Sequence, residues 1–379
     1  MCSWEIKPGF SKSEDNKTMA IRTLFICYIT DSAASKPDAE LVIGLHRQGI
    51  EADVMMPSGS SYEKLFNKLG IRVIPFHPPG KFSLTSIKLI RKNIRARKYN
   101  ILHLFNSKAI VNGAIAAIGM PVKVIAYRGA AGMHWHDPTA WFSHFNPRID
   151  TIICNSAYVL DNVRKQLLFN PGKAVMIHKG LDMSWFGKVT AVSREVLGIP
   201  GEAIVVGCVA NVRRIKGLPY LIRSTRYLDP ELPVHFLLIG SGMDSGEMMR
   251  LIRSSPFRDR IHIHGFRKDV YELLAACDIY IQPSLSESLS RSVMEAMCLG
   301  VACIVSDTGG LTELVEHNKS GLIVEKGNAR AIATAIEKLA GDSVLRKAFS
   351  AESVIRMEKL FSVNNMVAKT RELYESMLN

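Results

Sequence analysis

The chain has 379 residues, enough for two domains with separate cores. Hydrophobic content of 47% and charged content of 22% set aside the disordered and fibrous classes. The net charge is +13 and unevenly placed: residues 1–185 hold 24 Lys+Arg against 13 Asp+Glu (+11), and the remainder 24 against 22 (+2).

The first twenty residues are polar and lack an apolar signal core, so a disordered leader is expected at 1–20, with the fold beginning near Met19. Short apolar strands then alternate with amphipathic helices. Strands are expected at 21–30, 50–56, 71–76, 101–105, 122–127, 151–154 and 175–178, and helices at 38–48, 62–69, 84–97 and 107–118. Residues 179–187 read as a connector, after which the pattern restarts. Strands follow at 203–209, 235–239, 261–264, 279–282, 302–306 and 321–324, with helices at 218–228, 243–254, 270–276, 291–299, 310–316 and 329–340. Such alternation predicts an α/β protein of two Rossmann-like domains facing a cleft, each a parallel sheet covered on both faces. The domains are placed at 21–185 and 186–360. The last helix, 363–377 within a segment at 361–379, has no following strand and is expected to pack back on the first domain.

No stretch of 18 residues is free of polar breaks, so no membrane span is expected. Seven scattered cysteines without a Cys-x-x-Cys pair read as reduced core thiols in a cytoplasmic protein. The run Lys88 to Lys98 is the densest basic segment, on one helix. It reads as a solvated face, as a surface for an anionic membrane or acceptor, or, without interleaved aromatics, least readily as a nucleic-acid site.

The informative segment is 281–300. A strand breaks at Pro283 into a serine-rich loop and becomes a helix that stops at Gly300. Free backbone N–H groups and the helix dipole make such a junction an anion site. Glu287 and Glu295 beside it suit a ligand that also offers hydroxyls. Ser288, Leu289 and Ser290 supply N–H groups near the helix start. The loop 211–217, at another strand end, offers Arg213 and Lys216 to a diphosphate. Glu313, after Gly309-Gly310, either caps a helix or reaches the cleft. In the first half, Arg128, His134, His136 and the loop from Asp31 to Lys36 open on strand ends as a candidate acceptor face. The two histidines lack further partners at metal-ligand spacing. No Asp-x-Asp is present, so no pair of this kind is available to hold a metal on a diphosphate, and Arg213, Lys216 and the helix N-terminus stand in its place.

From 203 to 340 the chain resembles the retaining glycosyltransferases of family four, which have the GT-B fold. Glu287-x7-Glu295, Lys216-Gly217, Gly309-Gly310 with Glu313, and Gly321-Leu-Ile-Val carry the likeness, and Lys179-Gly-Leu-Asp182 is similar to the family's interdomain Asn-Gly-hydrophobic-Asp. The resemblance implies Glu287 on the donor-sugar hydroxyls, Glu295 on the ribose, Arg213 and Lys216 on the leaving diphosphate, and Phe266 or Arg267 by the base. It implies a metal-independent enzyme without cofactor that takes a nucleoside-diphosphate sugar and gives an α-linked product. The expected acceptor is a glycan or a lipid-linked glycan of lipopolysaccharide, O-antigen or capsule assembly. The enzyme is expected in the cytoplasm, peripheral on the inner face of the plasma membrane, with no nucleic-acid partner. Ser288 replaces the family's usual glycine and Asn211 its usual arginine; on the acceptor side, where the family's histidine position falls near Arg128, His134 is the candidate catalytic group and Arg128, His136 and Asp31 are candidate acceptor contacts. The alternatives are a GT-B synthase or phosphorylase for soluble sugars, and, in another class, a non-catalytic nucleic-acid-binding protein.

Overall fold

A computed structural model describes residues 20–379; the expected leader lies outside them apart from Ala20. The first half forms a seven-stranded sheet from β1 (Arg22–Ile26), β2 (Glu51–Met56), β3 (Val73–Pro75), β4 (Ile101–Leu104), β5 (Lys123–Arg128), β6 (Thr151–Cys154) and β7 (Ala174–Met176), in the order β3-β2-β1-β4-β5-β6-β7. The second half forms a six-stranded sheet from β8 (Ile204–Val209), β9 (Val234–Ile239), β10 (Ile261–His264), β11 (Ile279–Gln282), β12 (Ala302–Ser306) and β13 (Gly321–Val324), ordered β10-β9-β8-β11-β12-β13. Neighbouring strands pair in parallel, and their runs of Val, Ile and Leu are buried on both faces, as parallel sheets require. Strand order reverses beside β1 and beside β8. A crevice opens at such a switch point, outside the carboxyl ends of the strands.

After the first strand, each expected strand is present with its ends moved by no more than two residues. Three helices escaped the periodicity: Pro138–Phe142, Ala157–Gln166 and Ser343–Leu360. The six cysteines among the described residues are free and buried. No described helix is long and apolar enough to cross a membrane.

The chain passes between the halves twice, and the two crossings lie side by side. Leu181 N–H donates to Phe361 O at 2.8 Å, and Val363 N–H to Leu181 O at 3.2 Å. Gly180 permits this, since a Cβ there would sit 2.3 Å from Ser362 O. Helix Val363–Leu378 then packs on helix Lys36–Arg47 of the first half, with Val367 filling the space where a Gly44 Cβ would fall. Tyr374, fully buried, carries its hydroxyl to His103 Nδ1 on β4 at 2.7 Å. Burial pushes the His103 imidazole down to about 3, so it is neutral in the folded protein near pH 7.

Replacing Tyr374 with Phe strands a buried ring nitrogen whose partner Nε2 is already without a hydrogen bond, at a cost of roughly 1–3 kcal/mol. Equilibrium denaturation measures it; an unchanged midpoint would contradict the anchoring role. With a folded pKa near 3 and an ordinary value of 6.5, His103 takes up protons more readily when unfolded. Stability is therefore expected to fall as pH drops from 6.5 toward 3, less steeply in His103→Phe.

Candidate active site

The loops that follow β8 and β11 flank the switch point of the second sheet and are pressed together. Leu285 N–H donates to Ile215 O at 2.8 Å. Gly217 has φ +66°, and a Cβ on it would lie 1.9 Å from Pro283 O. The loop after β12 closes from the other side. A Cβ on Gly309 would lie 1.7 Å from Glu287 O, and one on Gly310 1.6 Å from Ser288 O. Gly310 N–H donates to Glu287 O at 3.2 Å, and Thr308 Oγ1 to Leu285 O at 3.2 Å. The backbone carrying Glu287 is thus held between two glycine-lined loops, with no volume left for a side chain.

On this frame Lys216 Nζ meets Glu287 Oε2 at 2.5 Å, both side chains being 13% exposed. Ser284 Oγ donates to the same carboxylate oxygen at 3.2 Å and accepts from Gln282 Nε2 at 2.8 Å. Gln282 Oε1 accepts from Tyr280 OH at 2.8 Å and from Ser292 Oγ at 3.2 Å. A polar relay therefore runs beneath the loop from the helix start to Lys216. Sequence reasoning reached its charged end, Glu287 and Lys216, and missed the rest. The signal was there: Tyr280 and Gln282 put two polar groups on a strand that is otherwise apolar.

Helix Arg291–Cys298 starts at Ser290, whose side chain makes no cap to it, so the first N–H groups stay available to an anion beside Ser288 and Leu289. Arg213 lies on the same turn as Lys216, exposed, and among the described residues its guanidinium has no hydrogen bond or ion pair. Glu295 is buried. Desolvation raises its carboxyl above the ordinary value, against the pull of Arg291, whose Nε lies 3.0 Å away, then Tyr271 and Lys36. Lys36 comes from the first half, and its ammonium lies 5.1 Å from the Trp185 ring and 5.3 Å from that of Tyr271. Further along the edge, Phe266 stands exposed, while Arg267 is engaged by Asp269 in two hydrogen bonds of 2.8 and 2.5 Å.

The first-half residues are more scattered. Arg128 ends β5, half-buried, and its Nη2 donates to Ala131 O at 3.2 Å. Its Nε and the Oδ1 of Asn155 are buried polar atoms without partners. His134 and His136 stack on each other, ring centroids 5.2 Å apart, both exposed. Asp31 accepts from Ser61 N–H at 2.8 Å and Ser61 Oγ at 2.6 Å, at the start of helix Ser61–Lys68. No hydrogen bond joins these four side chains to the loops of the second half among the described residues. Asn155 is the residue sequence reasoning passed over.

Glu313 spans the cleft. Its carboxylate accepts from Ala157 N–H at 2.8 Å and Tyr158 N–H at 3.0 Å, and His178 Nε2 lies 3.1 Å away. It caps helix Ala157–Gln166 of the opposite half, a helix the sequence reading lacked. Burial alone would raise its carboxyl; the bonds from His178, Tyr158 and Ala157 hold it below the usual value.

Two parallel α/β halves, joined by a double crossing and facing each other across their strand ends, define the GT-B class of folds. A profile of glycosyl transferases group 1 matches residues 189–354, and one of glycosyltransferase family 4 matches residues 39–185. The chain belongs to the family-four glycosyltransferases. It is 24% identical over 314 residues to the UDP-Gal:alpha-D-GlcNAc-diphosphoundecaprenol alpha-1,3-galactosyltransferase of Escherichia coli, covering 78% of this chain and 80% of that one. It is 23% identical over 357 residues to the lipopolysaccharide core biosynthesis glycosyltransferase LpsD of Rhizobium meliloti, covering 94% and 98%. Among solved structures, a glycosyltransferase from Rickettsia africae superposes with TM-score 0.78 at 19% identity, covering 95% of this chain and 99% of the other. Anabaena HepE in complex with UDP gives 0.75 at 21%, covering 94% and 100%.

Because ionised Glu295 is disfavoured by burial, Glu295→Gln is expected to melt no lower than wild type at pH 7.5. The difference should narrow as pH falls toward the ordinary carboxylate value of 4.5, where the wild-type residue gains its proton. A melting point well below wild type at neutral pH would show that the Arg291 contact outweighs desolvation.

Proposed function

We propose that this family-four enzyme is retaining and metal-independent. It moves a sugar from a nucleoside-diphosphate sugar to a hydroxyl on a glycan or lipid-linked acceptor in assembly of a bacterial surface polysaccharide. The observation that carries the reading is the Lys216–Glu287 contact at the switch point, where a cation and a carboxylate are fixed within one bond of each other. Relatives named for lipopolysaccharide core and diphosphoundecaprenol-linked substrates support the acceptor class, and the UDP complex of HepE supports the donor class.

The donor diphosphate lies over the uncapped helix start, against the N–H groups of Ser288, Leu289 and Ser290, with Arg213 and Lys216 beside it. As the anomeric bond breaks, negative charge gathers on the departing diphosphate. The two cations stabilise it more than they stabilise the intact donor, and that difference lowers the barrier. Glu287 orients Lys216 and meets the sugar hydroxyls, and Glu295 takes the ribose. Phe266 offers a face to the base, with Arg267 at its edge. Arg128, His134, His136 and Asp31 lie on the acceptor side. No cofactor or metal enters this scheme.

A panel of nucleotides and nucleotide sugars in thermal denaturation tests the donor pocket. A true ligand at 100 times its Kd stabilises by about 2.7 kcal/mol, and a panel with no shift would refute the pocket. Once a donor is found, Lys216→Ala is expected to lower kcat on the order of 10²–10³-fold and, by leaving the largely buried Glu287 carboxylate without its cation, to lower the melting point as well. Activity is expected to survive chelation, and NMR of the product to show the donor's anomeric configuration; loss on chelation or an inverted product would each remove that part of the proposal.

A further inference from the structure

From Lys64 to His136 the sequence has 73 residues without one Asp or Glu, and thirteen Lys or Arg. The fold gathers part of this stretch into a surface. Along helix Leu84–Arg97, Ile90, Asn93 and Ile94 are buried, while Lys88, Lys92 and Arg95 stand exposed as a stripe at i, i+4 and i+7. At the start of this helix lie large apolar side chains in water: Phe82 is 62% exposed and Leu84 77%. They do not stand alone. Phe82 meets Phe142 edge to face, centroids 5.4 Å apart, and Phe142 is itself 52% exposed. Its neighbour Trp141 is partly exposed and donates its indole N–H to Trp135 O at 2.7 Å, and Trp135 is exposed as well. Lys81 helps lower the Asp137 carboxyl, after that group's bonds from Thr139.

We propose that this aromatic strip with its basic stripe is a docking surface for an anionic lipid bilayer. The strip enters the interface, and Lys88, Lys92 and Arg95 lie against the headgroups. Singly exposed apolar residues need no explanation, but a contiguous set of two phenylalanines, two tryptophans and a leucine does. Tryptophan and phenylalanine beside lysine are the composition of interfacial anchors, and the acid-free run from Lys64 to His136 limits the repulsion that an anionic surface would otherwise meet, although Asp137 lies within the strip. The strip continues into the loop carrying His134 and His136, so docking brings the acceptor face to the membrane plane. This deepens the lipid-linked acceptor reading and rests on it. A nucleic acid would use the cations but not the strip.

The test is vesicle flotation of the full chain with phosphatidylcholine vesicles, with and without 30 mol% phosphatidylglycerol, at low and high salt. The nucleotide-induced melting shift is read on the same samples. Wild type is expected to float with the anionic vesicles only and to leave them at high salt. Phe82→Ser/Phe142→Ser and Lys88→Glu/Lys92→Glu are each expected to weaken binding at least about tenfold, keeping the melting shift. Wild type that ignores anionic vesicles, or Phe82→Ser/Phe142→Ser that binds like wild type, overturns the proposal while leaving the donor pocket intact. Loss of the melting shift in wild type strikes the donor reading instead. If a variant fails to fold, quenching by bilayer-embedded bromolipid of the wild-type tryptophan fluorescence decides: quenching supports insertion and its absence overturns it.

Discussion

Everything at the candidate site depends on three loop backbones packed so closely that no side chain fits between them. Gly217, Gly309 and Gly310 each face a carbonyl of the Pro283–Ser288 segment at a distance that forbids even a methyl group. The segment cannot drift, so Glu287 cannot drift, and Lys216 finds it at a fixed place. The buried relay through Ser284, Gln282, Tyr280 and Ser292 locks the same loop from below. Preorganisation of this kind lets a charged site act on a developing charge without first rearranging.

Across the cleft the two halves are coupled by polar groups, while the returning helix buries Met366, Val367 and Tyr374 in the core of the first half. Glu313 of the second half ends a helix of the first, Lys36 of the first lies over two aromatic rings beside Glu295, and Lys179 of the connector reaches Asp38 at 2.8 Å. Burial would draw the Lys179 proton away, yet Asp38 and Tyr127 more than offset it, so this ammonium stays charged inside the hinge. Cleft geometry and the electrostatics of the candidate site are therefore set by the same few side chains.

Much of this was legible before any coordinates. Strands buried on both faces read as unbroken Val-Ile-Leu runs, and the double αβ alternation follows from them. Glu287 and Lys216 stood out because charge is conspicuous in strand-end loops, and Glu295 by its place in the helix that follows Glu287. What failed has physical reasons. Helix Ala157–Gln166 buries only Val159 and Val163, too few for a periodic signal, and Glu313, which adds to its local Ser156 cap, comes from 156 residues downstream. Helix Ser343–Leu360 buries Phe349, Ser353 and Met357, and the serine interrupts the stripe. Tyr271 and Asn155 came to the site by tertiary contact alone, and Lys36, expected on the acceptor face, lies over Trp185 and Tyr271 beside Glu295. No local pattern marks such residues.

The helix that returns to the first half has a consequence for how the protein is made. Tyr374 and His103 are 271 residues apart, and the core of the first half includes Met366, Val367 and Tyr374. A ribosome releases the first sheet long before it releases the helix that covers it. The half that is synthesised first is therefore completed only after the second half has been made, and until helix Val363–Leu378 emerges its surface around Gly44 and His103 waits uncovered.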